Sequence, residues 1–346
     1  MSPRRKAHRR LRVLLLNHPA LAAPDSAEGA TAEEQAVWKT EYDVATTLRR
    51  LGHEVLKLHV QDELQPIRAA IEEWKPQVVF NLLEEFAGLA VFDQHVVSYL
   101  ELLGVPYTGC NPRGLMLARG KGLAKKLVGY HRIRTPGFLV LPRGSKPRRP
   151  KALGFPLIVK SLTEEASLGI AQASVVDDDG KLAERVAFVH EKLGTDALAE
   201  SYIAGRELYV SVLGNERLTV LPVWELVFEK LPEGHAAIAT ARVKHDPKYQ
   251  KKVGIADRPA EDLSPEQRQA IARVSRRIYR ILELDGYARL DFRLAADGAL
   301  FFLEANPNPE IARDEEFARA AEAAGLKYPE LIQRLLSLAL RRPARG

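Results

Sequence analysis

The chain has 346 residues, 46% of them hydrophobic and 28% charged, with a formal net charge of +6. That mix builds a sizeable core of two or three packed subdomains, and no apolar run approaches the ~20 residues a membrane-spanning helix requires. Cys110 is the only cysteine, which excludes a disulfide framework and a cysteine-based metal cluster and makes the cytoplasm the default location. The positive charge gathers at the ends: Arg4, Arg5, Lys6, Arg9 and Arg10 form a basic arm, and "RRPARG" closes the chain. No zinc-finger spacing, RNP-like aromatic pattern or heptad zipper accompanies this arm, so it reads as a solvated tail rather than a nucleic-acid grip.

"RVLLLN" predicts a buried first strand; the residues around it imitate a secretory signal, but the apolar run is too short for one. "AEEQAVWKTEYDVATTLRRLG" predicts an amphipathic helix ended by Gly52, and "HEVLKLHV" a second strand. "ELQPIRAAIEEWK" predicts a helix, "PQVVFNLL" a third strand, and "QHVVSYLELLG" another helix before "VPYTG". Strands alternating with helices predict a small parallel sheet with ligands at the carboxyl ends of its strands. Glu84 and Glu85 fall at such an end.

From about residue 115 the pattern changes. "LMLARGKGLAKKLVGYHRI" predicts a basic helical segment, "RTPGFLVL" a strand, and "PRGSKPRRPKALG" an exposed loop. "FPLIVKSL" predicts a strand ending at Lys160, followed by a polar turn, "EEASLGI", and a strand, "AQASVV". "KLAERVAFVHEKLG" predicts a helix, "ALAESYIAGRELYVSVLG" two strand pieces, and "RLTVLPVWELVF" an extension of that sheet. Residues 229–256 are polar, basic and aperiodic; a loop that long in a compact domain is usually functional, here a lid. "SPEQRQAIARVSRRIYRILEL" predicts a helix capped by Ser264, and a helix pair over 314–341 closes the fold.

Between them lies "YARLDFRLAADGALFFLEANPNPE". A two-residue turn at Asp297-Gly298 sets Asp291 opposite Glu304 and Arg289 opposite Asn306, all on one face. Facing carboxylates destabilise a sheet unless a cation sits between them. Asp291, Glu304 and Asn306 are all oxygen donors, a set suited to magnesium and not to zinc or copper. The plain alternative is a salt-bridged hairpin in which Arg289 or Arg293 neutralises the acids.

The order Lys121, Lys160, Glu200 to Glu207, Lys244, Arg289-Leu-Asp291, Glu304-Ala-Asn306, with "LELLGVPYTG", "FPLIVK", "GRELYVSVLG" and "LFFLEANPNP", resembles the ATP-grasp superfamily. Within it the chain is most similar to D-alanine–D-alanine ligases, over residues 75–312. The resemblance implies an α/β ATP-grasp fold, two α+β subdomains gripping ATP, preceded by a small parallel-sheet domain. The implied units are 1–115, 116–205 and 206–346, the last carrying the metal site. It also implies roles. Lys121 and Lys160 are phosphate ligands. Glu200, Tyr202 and Ile203 belong to the strand that presents hydrogen bonds to adenine. Glu207, an acceptor-only carboxylate, takes the ribose hydroxyls. Asp291, Glu304 and Asn306 hold two magnesium ions, with manganese as the alternative. Arg289 stabilises the substrate carboxylate and then the oxyanion, Lys244 contacts phosphate from the long loop, and Ser167 is the catalytic group of the loop after Lys160.

The implied chemistry is ATP-dependent carbon–nitrogen bond formation through an acylphosphate. Three departures concern the substrates. Glu84 stands where such dipeptide ligases carry a histidine, Glu165-Ala166-Ser167 replaces their Gly-Ser-Ser, and "NPNPE" replaces their Asn-Thr-x-Pro-Gly, with Glu315 at the following serine. Glu84, Glu85 and Glu165 are therefore expected to face a substrate that carries extra positive charge. The expected partners are a small amino acid, peptide or amine and a second copy of the chain, with no membrane and no nucleic acid. Two alternatives stand beside this: a carboxylate-activating enzyme with a non-amine acceptor, and a degenerate nucleotide-binding regulator.

Overall fold

The computed structural model describes residues 9–163, 169–240, 242–243 and 246–342. Strand β1 (Arg12–Asn17) lies between β2 (Glu54–His59) and β3 (Val78–Asn81), and all three are parallel. Its continuous apolar run follows from burial on both faces. Helix α1 (Ala32–Arg50) starts with a capping box between Thr31 and Glu34. Helices α2 (Gln65–Trp74) and α3 (Asp93–Leu102) follow, and Tyr107 in "VPYTG" bridges to Val79 at the sheet's edge.

The basic segment is two helices, not one: α4 (Pro112–Arg119) and α5 (Lys121–Tyr130), broken at Gly120. The break makes Lys121 the first residue of α5 and places Lys125 one turn behind it. Next comes a four-stranded antiparallel sheet of β4 (Phe138–Leu141), β5 (Leu157–Ser161), β6 (Val175–Val176) and β7 (Ala197–Ser201), ordered β4-β7-β5-β6. The strand expected from "AQASVV" shrinks to Val175–Val176, because Gln172–Ser174 first closes a 3-10 turn. Helix α6 (Asp179–Phe188) packs on this sheet.

The large sheet has six strands. They are β8 (Arg206–Leu213), β9 (Thr219–Val220), β10 (Trp224–Phe228), β11 (Ile255–Pro259), β12 (Tyr287–Leu294) and β13 (Leu300–Pro307). Their order is β11-β10-β8-β12-β13, with β9 paired to β8. Pro222 separates β9 from β10 within the stretch expected to extend that sheet. The expected loop over 229–256 is shorter than its aperiodic sequence suggested, since it ends in helix α7 (Pro247–Val253) and the start of β11. Helix α8 (Pro265–Ile281) does begin at a Ser264 cap, and α9 (Glu316–Ala323) and α10 (Tyr328–Leu340) are the closing pair.

Two cores join the parallel sheet to the large one. Leu14, Leu16 and Val79 share a cluster with Leu208, Val210 and Phe292, while Val13, Leu15 and Phe80 pack with Val44, Leu48 and Phe317. The four-stranded sheet keeps a separate core, around Val159, Val186 and Ala199. Gly205 carries the chain from one antiparallel sheet to the other at φ 143°, where a Cβ would collide with the Leu294 carbonyl.

The β12–β13 hairpin reaches the expected register by an unexpected route. Its turn is one residue longer than a two-residue loop: Ala295 N–H donates to Ala299 O at 2.9 Å, and Gly298 sits at φ 81°. A bulge then leaves Leu303 without a partner on β12, between Phe302 and Glu304. The two irregularities cancel. Asp291 lies opposite Glu304 and Arg289 opposite Asn306.

Candidate active site

A cavity lies between the two antiparallel sheets. Ile158, Ile170, Ile238 and Leu303 give it apolar walls. Lys160, Glu200, Tyr202, Ile203 and Glu207 line it, as do Asp291 and Glu304. The pocket thus gathers residues that the chain separates by more than a hundred positions.

Lys160 closes one end. Its Nζ lies 2.9 Å from Glu200 and 3.5 Å from Glu304. Burial opposes the Lys160 charge, but Glu200 and Glu304 more than offset it and raise the pKa. The other Glu200 oxygen lies 2.8 Å from Lys125, a fully buried lysine that the sequence reading passed over. Burial would raise the Glu200 carboxyl, yet Lys125 and Lys160 together hold it below its ordinary value. Lys121 approaches Glu304 to 4.0 Å. The i, i+4 spacing from Lys121 was the available signal for Lys125, since both face the same side of α5.

Glu207 marks another part of the cavity. Its Oε2 accepts from Arg293 at 2.7 Å and its Oε1 from the Tyr209 hydroxyl at 3.1 Å. Arg293 lies directly across from Glu207 in the β8–β12 register and also donates to the carbonyls of Gly205 and Ala237. It appeared in the sequence only as a neutralising alternative. Its position two residues beyond Asp291, on the same strand face, was the clue.

On the hairpin face, Asp291 accepts from Arg289 Nε at 2.7 Å and Nη2 at 3.0 Å, and from Asn306 Nδ2 at 2.9 Å. Arg289 also reaches Glu316 at 3.3 Å, another residue the sequence reading missed. Burial pushes the Glu316 carboxyl up to about 7, against the pull of Arg289. Among the described residues no three His, Cys, Asp or Glu side chains gather as a metal site. The set here is two facing carboxylates and an amide, held together by Arg289 from one side and by Lys160 and Lys121 from the other. All-oxygen donors whose charge is offset by neighbouring cations fit a hard divalent ion.

Glu84 and Glu85 stand apart from this cavity. They follow β3; Glu84 is exposed, and Glu85 lies 3.6 Å from His18. Lys244, Ser167 and Glu165 lie outside the described residues. Asn308, at φ 53°, accepts from the Cys110 N–H at 2.7 Å, tying the hairpin to the loop after Tyr107.

Residues 126–337 match the family described as D-ala D-ala ligase C-terminus. The D-alanine–D-alanine ligase of Moorella thermoacetica is 30% identical over 321 residues, covering 90% of this chain and 97% of the relative. A protein of Sinorhizobium fredii named uncharacterized protein y4sG is 32% identical over 311 residues, covering 86% and 87%. The crystal structure of the Bacillus anthracis D-alanine–D-alanine ligase complexed with ATP superposes with a TM-score of 0.72 at 23% identity, covering 96% of this chain and 98% of that one. By its matched residues and its full-length likeness, the chain belongs to the D-alanine–D-alanine ligase family, ATP-dependent carbon–nitrogen ligases of the ATP-grasp superfamily.

Proposed function

We propose that the chain uses ATP to activate a small-molecule carboxylate and joins it to an amine at the cavity between its antiparallel sheets. The observation that carries this is the convergence there of Lys160, Glu200, Glu207, Asp291 and Glu304, each from a different strand. The apolar walls suit a purine ring. The Tyr202 amide already donates to the Pro156 carbonyl at 3.0 Å, so the donor we assign to the base is the Ile203 amide. Glu207, held by Arg293, takes the ribose hydroxyls, and Lys160 and Lys121 turn to the phosphates. Lys244 and Ser167 are assigned to the phosphates and the reacting groups by resemblance alone.

Asp291, Glu304 and Asn306 would hold Mg²⁺, which when bound neutralises phosphate charge. In the first step a substrate carboxylate oxygen attacks the γ-phosphorus and the bond to ADP breaks. Arg289 orients that carboxylate. In the second step an amine attacks the acylphosphate carbonyl, gives up a proton and expels phosphate; Arg289 then offsets the oxyanion charge. Residues 1–115, 116–205 and 206–346 serve as working units. Consumption of ATP supports a cytoplasmic location; separately, no described helix is long and apolar enough to cross a membrane.

The test is ATP turnover with mixed amino acids against none, followed by mass spectrometry of the products. An amide product that requires ATP is expected; turnover indifferent to any amine or acid would overturn the reading.

A further inference from the structure

Lys125, one turn after Lys121 on α5, is 1% exposed and takes no part in the steps set out above. An ammonium removed from water is costly unless a fixed acid meets it. Its Nζ lies 2.8 Å from one oxygen of Glu200 and donates to the Phe302 carbonyl on β13 at 3.5 Å. The other Glu200 oxygen lies 2.9 Å from Lys160. One carboxylate therefore joins two lysines that differ in place. Glu200 and Lys160 line the cavity, while the Lys125 side chain is fully enclosed behind Glu200.

The small sheet fixes what Glu200 can read. In the β5–β7 register Ile158 lies opposite Glu200, and Lys160 stands two residues further along β5, so all three share the cavity face. A flat ring resting on Ile158 meets Glu200 at its edge. Ile203, just past the end of β7, also lines the cavity, and its amide is the donor assigned to the base. Adenine carries an acceptor, N1, beside a donor, the 6-amino group. Hypoxanthine and guanine carry the reverse, an N1–H beside a 6-oxo group. An ionised carboxylate only accepts, whereas a protonated one has an O–H to donate. The charge on Glu200 therefore decides which purine edge fits.

We infer that Lys125 is the positioning residue for base selection: it keeps Glu200 an acceptor-only carboxylate after Lys160 has turned to the phosphates, so that the site takes a 6-aminopurine and rejects a 6-oxopurine. The inference rests on the nucleotide part of the ligase reading and adds to it the residue that sets the base. The two lysines divide the work by where they stand. Lys160 lines the cavity and is drawn to the triphosphate; Lys125, enclosed by α5, β7 and β13, stays with Glu200. Burial works against the Glu200 charge, and of the two cations that restore it Lys125 has the larger pull.

The probes are ATP and inosine triphosphate, each titrated with magnesium into the full chain; they differ only at the purine edge. The wild type is expected to prefer ATP by at least about thirtyfold, and Lys125→Met to lose about tenfold or more of that ratio. A lysine that merely pinned α5 to β7 would weaken both nucleotides together and leave the ratio alone. Glu200→Gln, whose amide both donates and accepts, is expected to lose the preference even with Lys125 present. Should Lys125→Met fail to fold, Lys125→Met/Glu200→Gln removes both charges of the pair, and its ratio is expected to equal that of Glu200→Gln. A further change of ratio in the double variant would show that Lys125 acts other than through Glu200 and would overturn the inference. So would a folded Lys125→Met that keeps the wild-type ratio, or equal binding of the two nucleotides by the wild type; in both cases nucleotide binding, and with it the ligase reading, stands. If the wild type binds neither nucleotide, the ligase reading itself falls and takes the inference with it.

Discussion

Lys160, at the end of β5, comes within 3.5 Å of Glu304 on β13, so one ammonium links the four-stranded sheet to the six-stranded one across the cavity. The same ammonium is 2.9 Å from Glu200. A triphosphate entering the cavity competes for that charge, and its gain would free Glu304 for a divalent ion. The bridge is therefore both a stand-in for ligand charge and a tie between the two sheets.

Lys160→Met should weaken ATP binding by about 2–5 kcal/mol, the usual range for truncating one partner of a buried charge pair. Removing the ammonium leaves Glu304 facing the phosphates with Lys121 at 4.0 Å. Equilibrium titration with ATP and magnesium reads the effect directly. Unchanged affinity would remove Lys160 from the phosphate site.

Glu304→Gln should leave the fold intact and abolish ATP-dependent ligation. The substitution keeps the side chain's shape and removes one of the two carboxylates that face each other across the hairpin. It also relieves the opposition of Asp291 and Glu304, so folding should be unimpaired by urea titration. Normal product formation at ordinary magnesium would remove Glu304 from the proposed ion site.

Arg293→Met should destabilise the fold by about 3–5 kcal/mol, because it strands Glu207 as a buried acid without its cation. The loss should be largely recovered by adding Glu207→Gln, since the pair then becomes neutral together. Urea midpoints of the two single variants and the double variant form the cycle. Full additivity would show that the 2.7 Å pair carries no coupling.

The hairpin shows what the sequence could and could not tell. Alternation along β12 and β13 made the shared face of Arg289, Asp291, Glu304 and Asn306 legible, because a period of two is local information. The longer turn and the Leu303 bulge were not legible, since each is a choice among backbone geometries that Asp297-Gly298 permits equally. Lys125 and Glu316 were missed, and Arg293 was seen only as a neutralising alternative, for another reason. Each acquires its meaning from a partner on a distant element: Glu200, Glu207 or Arg289. The same holds for Glu41, whose helix was predicted from periodicity but whose neighbours Glu84 and Glu310 come from two other parts of the chain.

Glu41 should make the stability of the free protein fall as pH rises through the window from about 4.5 to about 7. Its ordinary value is 4.5 and burial, then repulsion from Glu84 and Glu310, lifts it to about 7 in the folded state. Between those values the folded protein holds a proton that the unfolded chain has released, so deprotonation favours unfolding. Below the window both states are protonated, and above it both are ionised, with the full cost present. Glu41→Gln has no proton to lose. Its stability should equal that of the wild type at the acid end and exceed it at pH 8 by up to about 3 kcal/mol, from the ~1.36 kcal/mol per pKa unit of such linkage. Glu316, also raised to about 7, is present in both proteins and cancels in their difference. Urea unfolding of the two proteins at pH 5 and pH 8 gives the four numbers needed. A difference that is the same at both pH values would show that Glu41 is not the group that titrates.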